Sequence, residues 1–288
     1  MGISIRSTSL ALLLLLATPS FGQVINSPQP SKALLLAQRG QITQALELAN
    51  KPPFNYEELR HLSTLILQQG SLSSDPLIQL LTLYGTNISG RTDLWTIYER
   101  GIKSPYPQIQ LNTVFALGRI PERYATILLE KALMSNFYGV RLEAALCLSR
   151  SQEYGMYDKI ESLMYKIPKN WLPFFPQIYA NLEDPKSLQA LKRLISSMDS
   201  EVLTEIILSV GEQKLYDLLP DLHFLATHHQ PATKEACLWA FDQFQDETAL
   251  PLIKKASSSS YTNVRLSAHR ALYHFGDTSS KSLIEQEA

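Results

Sequence analysis

Apolar residues recur along this chain at a fixed interval of 31 positions. Hydrophobic residues make up 45% of the chain, so a column of six positions is wholly apolar by chance only about once in a hundred trials. Two such columns run in register, and a period of this length is typical of stacked helical pairs. The first column contains Leu117, Leu148, Tyr179, Val210, Phe241 and Leu272, and the second contains Leu129, Ile160, Leu191, Leu222, Ile253 and Ile284.

The pattern predicts an all-α chain of about seven helical pairs that follow a helical N-terminal cap. The cap covers 31–72, where two helical patterns flank Gly40 and the second ends at Pro52 and Pro53. Since each added pair extends the same core, we predict one continuous array over 73–288. The predicted repeats are 73–103, 104–136, 137–168, 169–199, 200–230, 231–260 and 261–288.

Three of the predicted turns between paired helices carry an aspartate at the same repeat position, namely Asp184, Asp246 and Asp277. At the start of a helix, a carboxylate accepts hydrogen bonds from free backbone N–H groups and interacts favourably with the positive end of the helix dipole. We therefore interpret these aspartates as structural N-caps.

The segment 1–22 has the pattern of a secretory signal peptide. Arg6 precedes a short apolar run at 10–17, and Ser20 and Gly22 supply small residues before a predicted cleavage site after Gly22. The apolar run is about half of the ~20 residues that a membrane-spanning helix needs. We therefore expect a flexible leader at 23–30 and an exported protein of the periplasm, the cell envelope or the medium, with no integral membrane segment after cleavage.

Charge and cysteine content narrow the class of protein further. The formal net charge is −1, whereas nucleic-acid binders usually present an excess of positive charge, so we predict no nucleic-acid partner. Cys147 and Cys237 are the only cysteines and fall three predicted repeats apart. Helices stacked about 8 to 10 Å apart would separate them by roughly 25 Å, which exceeds the reach of a disulfide, so we expect two buried thiols.

Two segments resemble the bacterial HEAT-like repeat, whose units carry V-R-x-x-A-A-x-A-L-G-x-x-G-D before an A-L-x-x-L helix. One runs from Val140 and Arg141 through Ala144 and Ala145, and the other is at 264–277. The resemblance covers about 104–288. It implies a right-handed α–α superhelix, the HEAT-like solenoid of armadillo-type folds.

In this resemblance, Arg141 and Arg265 occupy a position where related repeats have an arginine that braces neighbouring turns, so we interpret both as structural. The middle repeats depart from the pattern. The segment 171–176 replaces V-R-x-x-A-A with aromatic residues and prolines, and the repeat after it keeps Val202 but has no arginine at the next position.

No short catalytic or metal-binding motif is present: the chain has no H-E-x-x-H, G-x-S-x-G, S-x-x-K or C-x-x-C. The histidines also lack the i, i+3 or i, i+4 spacing of a metal-binding helix. We therefore predict no catalytic residue, cofactor or metal, and a scaffold or adaptor of the cell envelope that binds a protein partner. Two alternatives remain open: an enzyme built on HEAT-like repeats, such as a bilin lyase-like protein, and a DNA-binding array.

Two groups of residues are candidates for protein binding. The aromatic residues Trp171, Phe174, Phe175 and Tyr179 either fill the core of a kinked first helix or form an exposed anchor, since interfaces are enriched in aromatic side chains. In HEAT-like arrays the second helices line the concave side, which makes their polar residues the second group. Of these, Lys192 and Arg193 are our candidates.

Overall fold

The computed structural model describes residues 31–50, 55–91, 93–151, 155–182, 184–196, 199–227 and 230–287. The predicted signal peptide and leader, residues 1–30, lie outside the described residues. All regular elements of the described part are helices, and that part contains no strand, which confirms the predicted all-α fold. The helices form two compact units, whose boundary lies between Cys147 and Leu148.

The first unit consists of short helices that pack against their neighbours in sequence and against the helix two places further on. Helix α1 contacts α2 and α3, α4 contacts α6, and α5 contacts α7. Alternate helices therefore form two rows, as expected for stacked helical pairs. The helices are α1 (Lys32–Gln38), α2 (Ile42–Ala49), α3 (Tyr56–Ser71), α4 (Pro76–Ile88), α5 (Trp95–Ile102), α6 (Pro107–Leu117), α7 (Arg123–Ala132) and α8 (Tyr138–Arg150), which continues into the second unit.

The second unit repeats this arrangement. The first helices of successive pairs form a row in which α10 contacts α12, α12 contacts α14 and α14 contacts α16. Short 3₁₀ helices at Lys169–Phe174, Tyr216–Leu218 and Glu247–Ala249 precede three of its helices. The helices are α9 (Met156–Met164), α10 (Phe175–Asn181), α11 (Pro185–Ile195), α12 (Ser200–Gln213), α13 (Leu219–Leu225), α14 (Pro231–Phe244), α15 (Leu250–Ala256), α16 (Thr262–His274) and α17 (Ser280–Glu287).

The two apolar columns form the core. Every member of the first is buried, and Tyr179, Val210 and Phe241 have no exposed surface. The second column is buried up to Ile253, whereas Ile284 is half-buried. Ile284 lies on α17, the last described helix, so no described helix follows to cover it. The period in the sequence thus corresponds to a repeated packing environment.

Glycine allows two helices to approach closely at two equivalent places in the first unit. A Cβ atom added to Gly101 would lie 2.1 Å from Oγ1 of Thr113, and one added to Gly70 would lie 2.2 Å from Oγ1 of Thr82. The two pairs have the same internal spacing and differ by one period. One repeat later, the same two positions are occupied by Ala132 and Ala144, both buried.

A hydrogen bond within each of four turns was not expected from the apolar pattern. A long polar side chain on a first helix donates to the carbonyl oxygen six residues earlier, where the acceptor is always a serine. Gln79 and Gln110 donate at 2.5 and 2.6 Å, Arg265 donates at 2.8 Å, and Arg141 makes the same contact. The acceptors are Ser73, Ser104, Ser259 and Ser135.

The serine hydroxyls then join successive repeats of the first unit. Ser135 Oγ donates to Gln110 Oε1 at 2.6 Å, and Ser104 Oγ makes the longer equivalent contact to Gln79 Oε1 at 3.4 Å. Because Gln110 is buried and Ser104 is also buried, these bonds satisfy polar groups that would otherwise be costly to remove from water. We call this series the serine–glutamine ladder.

Both cysteines are buried thiols that are not joined in a disulfide. Burial raises the pKa of the Cys237 thiol to about 12, since a low-polarity environment disfavours the thiolate. The expectation of two buried thiols is confirmed.

Candidate protein-binding surface

The four predicted aromatic residues divide into two buried and two more accessible side chains. Phe175 and Tyr179 have no exposed surface, so their interpretation as exposed anchors is wrong and they belong to the core. The 3₁₀ helix that contains Pro173 ends where α10 begins, and this change of pitch turns Phe175 inward. Phe174, one residue earlier, is 53% exposed.

Trp171 and Phe174 form the accessible pair. Their ring centroids are 5.5 Å apart and the rings are inclined by 38°. Trp171 is half-buried, so only part of the pair is available to a partner. This leaves a small aromatic spot rather than the four-residue anchor that the sequence allowed.

Arg193 takes part in a polar cluster. Its Nη2 donates to Glu161 Oε1 at 2.6 Å and to the hydroxyl of Tyr157 at 3.2 Å. The hydroxyl of Tyr179 donates to the other carboxylate oxygen of Glu161. The guanidinium is therefore partly used inside the molecule, although the side chain remains 54% exposed.

The carboxylate of Glu161 is held in its ionised form. Desolvation by burial acts to raise its pKa, but hydrogen bonds from Tyr179 and Arg193 and the charge of Arg193 outweigh it, so the pKa lies below its usual value. Desolvation and the bond to Glu161 raise the pKa of the Tyr179 phenol. The cluster therefore joins α9, α10 and α11 through one ionised carboxylate.

Lys192 shares its repeat position with two later basic residues and with Glu161 one period earlier. His223 lies one period after Lys192, and Lys254 lies one period after His223. The next positions form a parallel row of Arg193, Phe224 and Lys255. All six residues lie in the last turn of a second helix, in α11, α13 and α15. We call them the basic-aromatic surface.

Phe224 is the exposed centre of this surface. Its side chain is 70% exposed, as is that of Tyr165, and no other large apolar side chain in the described part of the second unit is more exposed. Lys192, Lys254 and Lys255 are exposed as well. Among the described residues, no carboxylate lies within ion-pairing distance of these three lysines. Phe224 lies outside both apolar columns and belongs to no motif, so the sequence alone did not identify it.

The negative end of the helix dipole favours cations in the last turn, which accounts for the lysines. It does not account for Phe224, since an apolar side chain gains nothing from the dipole and exposes apolar surface to water. Hydroxyl groups already satisfy part of the carbonyl row: Ser196 donates to Lys192 O, Thr227 to Phe224 O and Ser257 to Lys254 O. Because these carbonyl oxygens already accept hydrogen bonds, the charged side chains are the main polar groups with which a partner could interact.

His223 anchors the surface to the next helical pair. Its Nε2 lies 2.7 Å from Asp246 Oδ2 and 3.3 Å from the hydroxyl of Thr248, and its ring lies 4.8 Å from that of Phe241. A nucleophilic triad needs the carboxylate and the hydroxyl on opposite ring nitrogens. Here both share Nε2, so the geometry is that of a packing contact and not of a charge-activated hydroxyl.

The predicted structural residues lie at helix starts and turns. Asp184 accepts from the backbone N–H of Lys186 at 2.9 Å, Asp246 from that of Thr248 at 3.0 Å, and Asp277 from that of Ser279 at 3.1 Å. Desolvation opposes ionisation of Asp246, but hydrogen bonds from Thr248 and His223 lower its pKa overall. Arg141 and Arg265 donate to turn carbonyls, as described above.

Features of other functional classes are limited in the described residues. One concavity of about 190 Å³ in the first unit is lined by Lys32, Ala49 and Glu58 among others, which is smaller than the ~300–1,000 Å³ typical of small-molecule sites. No group of three or more His, Cys, Asp or Glu side chains that could hold a metal occurs among the described residues. Within the same residues, no helix has the length and apolar character needed to span a membrane.

The regular period of the sequence and the rows of paired helices define the chain as an α-helical repeat protein. The family model for HEAT repeats matches residues 187–273, a stretch that contains the whole basic-aromatic surface. That stretch is similar to HEAT repeats, and the described helical pairs have the arrangement expected of such repeats. No curated protein matches it.

Proposed function

We propose that this protein is a non-catalytic scaffold or adaptor of the cell envelope that binds a protein partner through the basic-aromatic surface. The observation that carries the proposal is Phe224, which is 70% exposed and lies at the repeat position of Arg193 and Lys255. Interfaces concentrate their binding energy in a few aromatic and arginine side chains, with a polar rim around them. HEAT repeats supply the helical support, and the segment 1–22 supplies the signal-like pattern behind the envelope assignment.

The test is capture of binding proteins from envelope extracts by the full chain, in parallel with two phenylalanine variants. Phe224→Ala removes the proposed anchor. Phe115→Ala is the matched control, since Phe115 is 45% exposed and lies in the first unit on α6. We expect the control to retain captured proteins and F224A to lose them, with equal thermal stability of all three chains.

If F224A and F115A captured the same proteins, the basic-aromatic surface would not be the binding site. If the wild-type chain captured no protein, the scaffold role would be contradicted. Cell fractionation tests the envelope assignment separately. Recovery of the tagged full chain in the cytoplasmic fraction would contradict it.

A further inference from the structure

We infer that the basic-aromatic surface binds an extended acidic segment that carries one apolar residue midway between two carboxylates. This inference rests on the proposed function, because it names the partner of the same surface. Lys192 and Lys254 bracket the surface with positive charge, and Phe224 supplies the apolar contact between them. A partner with carboxylates at its ends and an apolar residue at its centre complements both features.

The spacing of α11, α13 and α15 favours an extended partner over a helical one. Packed helices lie about 8–10 Å apart, which sets the shortest interval at which Lys192, the position of His223 and Lys254 can follow one another. A polyproline II segment rises about 3.1 Å per residue and brings every third side chain to the same face, at about 9.3 Å. Its period is close to this shortest interval, whereas an α-helix rises only about 1.5 Å per residue and would need about six residues per step.

The charge of the surface argues for a short segment over a long polyanion. The basic-aromatic surface spans only three helices, of which α11 and α15 carry its lysines, and the formal net charge of the chain is −1. Nucleic-acid binding needs several phosphate contacts along a longer basic track. A peptide with two or three carboxylates needs only the cations that are present here.

The contacts of the neighbouring groups support this arrangement. His223 is already held by Asp246 at 2.7 Å, and Arg193 is held by Glu161 at 2.6 Å. The lysines Lys192, Lys254 and Lys255 are the cations left for a partner, since the described residues offer them no carboxylate. The acid on α13, Asp221, is half-buried and lies three residues before Phe224, so it is a neighbour of Phe224 on the helix surface.

The experiment measures binding of a fluorescein-labelled nonapeptide, Gly-Glu-Pro-Pro-Leu-Pro-Pro-Glu-Gly, to the full chain by fluorescence polarisation. Two control peptides replace both Glu residues by Lys or the central Leu by Ser. We expect the acidic peptide to bind with a Kd below about 1 mM, the Ser peptide to bind several-fold more weakly, and the Lys peptide not to bind. Raising the salt concentration should weaken binding, because the cations are exposed.

Variants of the surface give the second set of outcomes. Lys192→Glu/Lys254→Glu should raise the Kd at least about tenfold, because it removes two cations and adds repulsion, and Lys192→Gln/Lys254→Gln and F224A should each raise it several-fold. The variant Lys192→Gln/Lys254→Gln removes the positive charges without adding negative ones, so it controls for a loss of helix stability caused by the charge reversal. Arg270→Glu/Lys281→Glu makes the same change of net charge at exposed positions on α16 and α17 and should leave the Kd unchanged.

The inference is overturned if the acidic peptide fails to bind below about 1 mM, if the lysine variants bind it as well as the wild type, or if a decameric oligothymidine binds more tightly with the same dependence on Lys192 and Lys254. The last outcome would assign the surface to nucleic acid. Capture of an envelope protein that depends on Phe224, without binding of the acidic peptide, would leave the proposed function standing while this inference fails.

Discussion

Ser135 Oγ donates a hydrogen bond of 2.6 Å to Gln110 Oε1, which joins the turn before one first helix to the first turn of the previous first helix. Gln110 Nε2 in turn donates to the carbonyl oxygen of Ser104. One amide group therefore satisfies a donor and an acceptor that belong to two successive turns. Register between neighbouring repeats of the first unit is fixed by this bond as well as by apolar packing.

Replacement of Gln110 by alanine should destabilise the chain by about 1–3 kcal/mol, because the variant leaves the buried carbonyl of Ser104 and the hydroxyl of Ser135 without their partner. Urea unfolding followed by circular dichroism measures the change. Gln108 lies on the same helix with an exposed side chain, so Gln108→Ala is the matched control and should change the free energy of unfolding by less than about 0.5 kcal/mol. Equal effects of the two variants would remove the ladder as a source of stability.

The two neighbouring phenylalanines of the aromatic segment should differ sharply in stability. Phe175→Ala empties a fully buried site and should cost about 3–5 kcal/mol, whereas Phe174→Ala removes a side chain that is 53% exposed and should cost about 1 kcal/mol or less. Thermal and urea unfolding of the two variants provide the measurement. A similar loss in both would contradict the assignment of Phe175 alone to the core.

The stability contributed by Glu161 should depend on pH in a defined direction. Its pKa is lowered in the folded chain, despite an opposing effect of desolvation, by the bonds from Tyr179 and Arg193. The ionised carboxylate therefore stabilises the fold fully above the unfolded pKa, near 4.5, and this contribution is lost as the pH falls through the lower folded value. The difference in unfolding free energy between the wild type and Glu161→Gln, about 1–2 kcal/mol at pH 7, should shrink below pH 4.5. A difference that stays constant or grows on acidification would contradict the assigned ion pair.

The sequence predicted the helices and the core because apolar periodicity records which side chains are buried. Both columns, through Leu191 and Val210, identify buried positions for this reason. Apolar periodicity does not predict the serine–glutamine ladder. Its residues are polar in a chain where polar positions are expected at the surface, and only the spacing of six residues between Ser104 and Gln110 and between Ser135 and Arg141 marks it.

The candidate surface was predicted in part. Lys192 and Arg193 were identified as polar residues of a second helix, whereas Phe224 was not, because an apolar residue in a helix is usually counted with the core. Its repeat position carried the missing signal: Arg193 one period before and Lys255 one period after are both charged, which marks a solvent-facing position. Phe174 is exposed and Phe175 is buried because a 3₁₀ helix ends between them, and residue types alone do not specify where that helix ends.

The close approach of α5 and α6 can be tested by replacing the pair Gly101 and Thr113 with two alanines. Gly101→Ala would place a methyl group 2.1 Å from Oγ1 of Thr113, and such overpacking should cost about 1–3 kcal/mol. In Gly101→Ala/Thr113→Ala the obstructing atoms are removed, and the pair becomes the alanine pair that the chain itself uses one repeat later at Ala132 and Ala144. Thr113 Oγ1 donates to the carbonyl of Ile109 in its own helix, so its removal takes the donor away together with the side chain.

The double variant should therefore recover most of the stability lost by G101A, with a positive coupling of at least about 1 kcal/mol in the double-mutant cycle. Additive losses from the two substitutions, measured by urea unfolding, would show that the helices do not meet at this pair and that the repeat positions of Gly101 and Ala132 are not equivalent.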